Sequence, residues 1–231
     1  MKSALERGYQ VDAILGNDPM VLTRSLENYR KFHYDATVIT NQRPEMALVA
    51  IDLVKKHIKA KKIVLISSDL VYRPSNIPKP EFWDIDPVTD EGRMFARSEE
   101  MLDIYSDIIF RTGYIIGLCS INLYTNILNL ARSGMDIVLS RRTVRNFIRN
   151  NDLSTFILES IERNITGVYN VASDIATEYD FAQWICSASG LNCKIKDSGE
   201  DLGNYSMDTS KALKTFGFRP SSVLETYMFP K

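Results

Sequence analysis

The sequence predicts an α/β protein built on a doubly wound parallel sheet, with a smaller α/β lobe formed by its last third. Three observations carry that expectation. From Gln10 onward short β-type apolar runs alternate with longer helical stretches, the pattern of parallel strands linked by covering helices. The run KKIVLISS, residues 61–68, is almost continuously apolar, as a central strand buried on both faces requires. The chain has 231 residues, 45% hydrophobic and 25% charged, which is enough to bury an ordinary core and excludes disorder, collagen-like repeats and coiled coil.

The elements follow in order. QVDAILG, residues 10–16, reads as a strand lying directly beside a second strand at Ala36–Thr40. Between them Asn17, Asp18 and Pro19 supply cap and first-turn chemistry for a helix over residues 20–32. The helix over residues 46–60 spreads Leu48, Ile51, Leu53, Val54 and Ile58 across a wide face that needs more than one neighbour. The 61–68 strand then runs into a loop holding four prolines. A helix at 91–105, a strand at 107–117, a helix at 120–134 and a strand at 135–140 continue the alternation. Beyond Arg141 come a loop, a helix at 152–163, a strand at 167–173, a helix at 178–190, a strand at 193–197 and a last helix begun at Asp208. No repeat or linker interrupts the chain, so the expected organisation is a core over 1–140 and a C-terminal lobe over 141–231 packed on it.

Composition also excludes function classes. Twenty-eight Lys and Arg against 29 Asp and Glu give a net charge of -1, so no basic field exists to hold a nucleic-acid backbone. The apolar runs are too short and too often broken by charge to span a membrane, and the first ten residues lack the apolar core of a secretory signal, which points to the cytoplasm. Cys119, Cys186 and Cys193 show no C-x-x-C spacing, and only His33 and His57 accompany them. No metal site is expected, and all three cysteines read as buried or incidental thiols.

Five segments are more specific: ISSDLVY at Ile66–Tyr72, RTGYIIG at Arg111–Gly117, RNFIRNNDL at Arg145–Leu153, GVYNVAS at Gly167–Ser173 and DTSKALKTFGFRP at Asp208–Pro220. In wording and order they resemble the extended short-chain dehydrogenase/reductases, the nucleotide-sugar epimerases, dehydratases and reductases, and among these the dehydrorhamnose-reductase-like members in particular. The resemblance implies a Rossmann-like core, nucleotide-sugar chemistry and NAD(P). It also implies that Ser68 hydrogen-bonds a substrate oxygen, with Ser67, Asp69 and Arg111 beside it. Read from the residues alone, Ser67, Ser68 and Asp69 form a strand-to-loop turn serving local amides, and Arg111 equally suits a structural pair with Asp107 or Asp69. Arg145 matches the residue that pairs with the nucleotide diphosphate in relatives, a task fitted to a guanidinium fork. Its plainer reading is a solvated basic loop, since Arg141, Arg142, Arg145 and Arg149 lie within nine residues.

Two absences set the functional expectation. Dinucleotide binding needs a glycine-rich turn after the first strand, and Gly8 and Gly16 are the only glycines before residue 90. The N-terminal stretch resembles the end of the family's first helix followed by its second strand, so the usual first strand is expected to be missing. The family's chemistry uses a Tyr and a Lys four residues later, the Lys lowering the phenol's pKa and holding the nicotinamide ribose. GRMFARSEEML places Phe95 and Glu99 at those two positions. The literal Y-x-x-x-K at Tyr227 and Lys231 stands in the wrong context. A non-redox, nucleotide-sugar-binding or regulatory member without cofactor is therefore expected. The alternative is an NAD(P)-dependent nucleotide-sugar reductase or epimerase whose glycine-rich segment lies upstream. Homodimerisation is expected through helices 46–60 and 91–105, with Met94, Met101 and Leu102 contributing.

Overall fold

A computed structural model describes residues 1–14, 18–40, 43–117 and 122–226. In its first half the elements are α1 (Lys2–Glu6), α2 (Pro19–Glu27), β1 (His33–Tyr34), β2 (Thr37–Ile39), α3 (Pro44–His57), β3 (Lys59–Ala60), β4 (Ile63–Ser68) and α4 (Asp90–Glu100). Then come β5 (Ile108–Thr112), β6 (Tyr114–Ile116), α5 (Leu123–Arg132), β7 (Asp136–Leu139), β8 (Val144–Arg149) and α6 (Asn150–Glu162). The last are β9 (Gly167–Asn170), β10 (Asp174–Thr177), α7 (Glu178–Ser189), β11 (Lys194–Asp197), α8 (Ser210–Phe216) and α9 (Val223–Thr226). The chain forms two compact units, and neither is continuous. Met1–Tyr72, Asp84–Arg111 and Ser154–Tyr169 make the first; Arg73–Trp83, Thr112–Leu153 and Asn170–Lys231 make the second. A single cut at residue 140 does not describe this division.

The first unit is organised by a four-stranded sheet in the order β2-β4-β5-β9. Every residue of β4 is buried, as its unbroken apolar run requires, and β2 runs parallel to it with Val38 opposite Val64. Helix α3 does have two neighbours. Its Ala47, Ile51 and Val54 join Ile39, Ile63, Leu65 and Ile109, with Met101 and Leu102 packed against them. Its Met46 meets Leu22 and Leu26 of α2, with Val49, Leu53 and Ile58 around them. Much of the face assigned to a dimer is thus covered inside the unit.

The expected first strand is absent where it is described. Gln10–Ile14 carries no strand, and β2 is the edge of its sheet. Leu15, Gly16 and Asn17 lie outside the described residues. In this short run, interrupted by Asp12, Val11 is 37% exposed while Ile14 packs into the α2–α3 cluster, so side-chain burial rather than a strand ladder anchors it. The Tyr34 hydroxyl donates to the Asp12 carboxylate at 2.8 Å, and partial burial together with that carboxylate pushes the phenol up to about 12. Helix α2 begins as expected, with Asp18 Oδ1 accepting from the amides of Met20 and Val21 at 2.8 and 3.2 Å. Helix α4 ends at Glu100, short of the expected residue 105, because Asp103 starts a turn of its own by accepting from the Tyr105 amide at 3.0 Å.

The second unit holds a three-stranded sheet, β10-β8-β6, in which β8 runs parallel to β6 and antiparallel to β10. Strands β11 and β7 form a separate parallel pair. The expected strand 107–117 breaks at Gly113 into β5 and β6, which belong to different sheets. Strands β8 and β10 are not anticipated by the sequence: VRNFIR is a strand with Asn146 and Phe147 fully buried, not a loop. Phe147, Phe181, Tyr124, Ile127, Ile137 and Ile185 centre the core of this unit. Helix α5 opens with a reciprocal cap between Asn122 and Thr125.

The thiol expectation needs correction. Gly190 ends α7 with a φ of 66°, a turn that brings the Cα atoms of Cys186 and Cys193 to 6.0 Å, and the two form a disulfide. Cys119 lies outside the described residues. Among the described residues no helix is long and apolar enough to cross a membrane, and no group of three His, Cys, Asp or Glu side chains is placed to hold a metal ion.

Candidate functional site

In the first unit the polar residues at the carboxyl ends of β4 and β5 meet the inner face of α4. Phe95 and Glu99, one helical turn apart, both point inward and are buried. The approach of α4 depends on Gly92: a Cβ there would lie 2.2 Å from the Leu70 carbonyl oxygen in the short 3-10 turn Asp69–Val71. That closeness delivers Glu99 to Arg111, the single cation of an otherwise uncharged strand. Arg111 Nε donates to both Glu99 oxygens at 3.0 and 3.1 Å, and Nη2 donates to Oε2 at 2.6 Å. Ser67 Oγ donates to Glu99 Oε1, and Arg111 Nη1 donates to the Tyr72 hydroxyl at 2.6 Å. The Arg111 guanidinium also lies 4.9 Å from the centroid of the Tyr72 ring.

All four side chains are buried. Burial works against the charge on Arg111, but the Glu99 carboxylate and the Tyr72 oxygen outweigh it and hold the guanidinium above its ordinary value. The partner of Arg111 is therefore Glu99, not Asp107 or Asp69. Asp107 instead accepts from the amides of Ile63 and Asp103 at 2.8 and 3.1 Å. Ser68 follows its local reading: its Oγ accepts from the Leu70 amide at 3.2 Å and donates to Asp69 at 3.3 Å, capping the 3-10 turn. Phe95 has no ionisable proton, and the Glu99 oxygens are engaged by Arg111 and Ser67.

In the second unit Arg145 is the second residue of β8, opposite Ala176 of β10. It is buried, with its guanidinium 4.8 Å from the Tyr114 ring centroid and 5.6 Å from that of Tyr205. Neighbouring Asn146 fastens the 205–207 segment to the strand, its Nδ2 donating to the Tyr205 carbonyl at 2.8 Å and its Oδ1 accepting from the Met207 amide at 3.1 Å. The other arginines have separate partners, and the solvated-loop reading holds for Arg141 and Arg142, which are exposed ahead of β8. Arg141 stacks 3.8 Å over Tyr179, Arg142 faces Asp201 at 3.9 Å, and Arg149 Nε donates to Asp152 at 2.9 Å.

The structure thus brings Ser67, Phe95, Glu99 and Arg111 together, with Ser68 and Asp69 on the adjoining turn, and describes Arg145 in the other unit. Sequence reasoning passed over Tyr72 and Gly92 as parts of the first cluster, and Tyr114 and Tyr205 as the rings beside Arg145. One signal was present: an arginine inside the apolar run IIFRT demands a buried anion, and Glu99 stands on the expected inward face of the preceding helix.

The sequence matches no family model and no curated protein. Solved structures do match. The UDP-glucose 4-epimerase of Thermus thermophilus in complex with NAD superposes with a TM-score of 0.78 at 15% identity, over 98% of this chain and 91% of that one. The dTDP-glucose 4,6-dehydratase of Bacillus anthracis in complex with NAD gives 0.73 at 20% identity, over 98% and 80%. A dTDP-4-dehydrorhamnose reductase of Clostridium acetobutylicum gives 0.72 at 15%, over 91% and 84%. The fold is that of the extended short-chain dehydrogenase/reductases. At these identities the likeness is one of fold, and the chemistry of this chain rests on its own residues. Those residues do not fit the nicotinamide-ribose contact that the resemblance implies, since an anion already bound to Arg111 and Ser67 stands where a cation is required.

Proposed function

We propose that the chain is a nucleotide-sugar-binding member of its fold that carries out no redox chemistry and acts as a binding or regulatory subunit. The supporting observation is the buried Glu99–Arg111 fork; in this reading Glu99 stands at the family's Lys position and Phe95 at its Tyr position. In this reading Arg145 meets the diphosphate of the nucleotide-sugar, and Tyr114 and Tyr205 orient its guanidinium. Calorimetry with NADH, NADPH and a panel of UDP- and dTDP-sugars tests it. The expected result is sugar-nucleotide binding that Arg145→Ala abolishes, with no cofactor binding. Micromolar NADH or NADPH binding overturns the reading in favour of an NAD(P)-dependent reductase or epimerase. In that event Phe95→Tyr with Glu99→Lys tests whether activity returns.

Homodimerisation through α3 and α4 belongs to the same proposal, with Leu48 and Met94 half-buried on those helices. Light scattering is expected to give twice 26.3 kDa at tens of micromolar chain, and a monomer mass there removes the dimer from the reading.

A further inference from the structure

We infer that Cys186 and Cys193 form a thiol-reducible clasp that holds β11 on β7 and, through β11, the loop 140–143. This inference does not depend on the nucleotide-sugar reading. Cys186 lies on the buried face of α7 beside Ala182 and Ile185, whereas Cys193 is half-buried and immediately precedes β11. Strand β11 contributes little burial of its own: Lys194, Lys196 and Asp197 are exposed and only Ile195 is half-buried. The disulfide is therefore its covalent tie to the core of the second unit.

What the strand positions is specific. Asp197 Oδ1 accepts from the Gly199 amide at 3.0 Å and from the Arg141 amide at 3.4 Å. Ser140 Oγ donates to the Glu200 carbonyl at 2.7 Å, Arg142 donates to the Gly199 carbonyl, and the Leu202 amide donates to Thr143 Oγ1 at 3.0 Å. The segment after β11 is thus laced to the loop after β7, just ahead of Arg145. Loosening β11 loosens that lacing.

Opening proceeds by thiol–disulfide exchange. A thiolate attacks Sγ of Cys193, the more accessible sulfur; the S–S bond breaks and Cys186 leaves as a thiolate that takes up a proton. A second thiol displaces the first from Cys193, so that two external thiols become one disulfide and the protein gains two thiols. A thiol-rich compartment opens the clasp and an oxidising one closes it.

The test begins with protein purified without reductant, then unfolded and alkylated. Mass spectrometry is expected to find one alkylated cysteine of the three and a cross-linked 186–193 peptide, and three alkylated cysteines after dithiothreitol. Hydrogen exchange of the folded protein is then compared with and without dithiothreitol. Amides of residues 194–202 are expected to exchange roughly tenfold or more faster on reduction, and those of β4 and β5 to be unchanged. Cys119→Ser is expected to retain the response, while Cys186→Ser with Cys193→Ser shows the fast exchange under both conditions. Three free thiols that persist after diamide treatment overturn the bond. A confirmed cross-link whose reduction leaves residues 194–202 unchanged overturns the clasp.

Discussion

The two ends of the four-stranded sheet each bury a cation and solve the problem differently. At the amino end Lys62, just ahead of β4, is 4% exposed and donates to the carbonyls of Ile165 at 2.6 Å and Ser160 at 3.3 Å. Burial lowers its pKa, and the nearby Asp107 charge only partly offsets this. At the carboxyl end Arg111 receives a bidentate carboxylate and its pKa is driven upward against burial. The difference follows from the side chains. A buried lysine can shed its proton and be served by carbonyl oxygens, whereas a guanidinium cannot and requires an anion. Glu99 is therefore explained by Arg111, whose buried charge requires its carboxylate.

The contrast breaks most readily at Glu99. Glu99→Ala leaves Arg111 as an uncompensated buried charge and is expected to cost about 3–5 kcal/mol in urea unfolding, while Glu99→Leu combined with Arg111→Met recovers most of that loss. A cost no greater than that of a surface substitution ends the comparison. Gly92→Ala forces a methyl against the Leu70 carbonyl and is expected to cost about 1–3 kcal/mol, with hydrogen exchange rising in α4 and not around Lys62. Lys62→Met is expected to cost only about 1 kcal/mol, the net worth of its bonds to two carbonyls.

The pH dependence sharpens the Lys62 case. The folded value lies below the ordinary 10.5, so the unfolded chain holds the proton over the interval between them. Stability of the natural protein relative to Lys62→Met therefore rises with pH across that interval and levels off above 10.5, as thermal melts at stepped pH will show. The smallest effect belongs to Ser68→Ala, about 0.5–1 kcal/mol from the lost cap of the 3-10 turn. A much larger loss of sugar-nucleotide affinity in that variant would make Ser68 a ligand contact as well.

Regular features were legible in the sequence because they depend on local rules. The unbroken apolar run of β4, the Asp18 cap and the alternation of strands and helices are of this kind. Strand β8 was hidden because its Arg and Asn residues look solvated until their partners arrive from distant segments: Tyr114 for Arg145, and Tyr205 and Met207 for Asn146. Phe95 and Glu99 could be placed from spacing within one helix. The choice of Glu99 over Asp107 as partner of Arg111 was not accessible in that way, since it depends on how closely Gly92 lets α4 approach. The reverse case, the strand expected over residues 10–16, rested on a local apolar pattern of which, among the described residues, only Ile14 packs into a core cluster.

The discontinuous first unit also has a consequence for synthesis on the ribosome. Strand β9, Gly167–Asn170, is the outer neighbour of β5, Ile108–Thr112, and is translated well after it. Until β9 emerges, the nascent sheet ends in the open backbone of Ile108, Ile109 and Phe110, an apolar edge able to recruit strands from other chains. A pause in translation between β5 and β9 therefore prolongs the exposure of that edge.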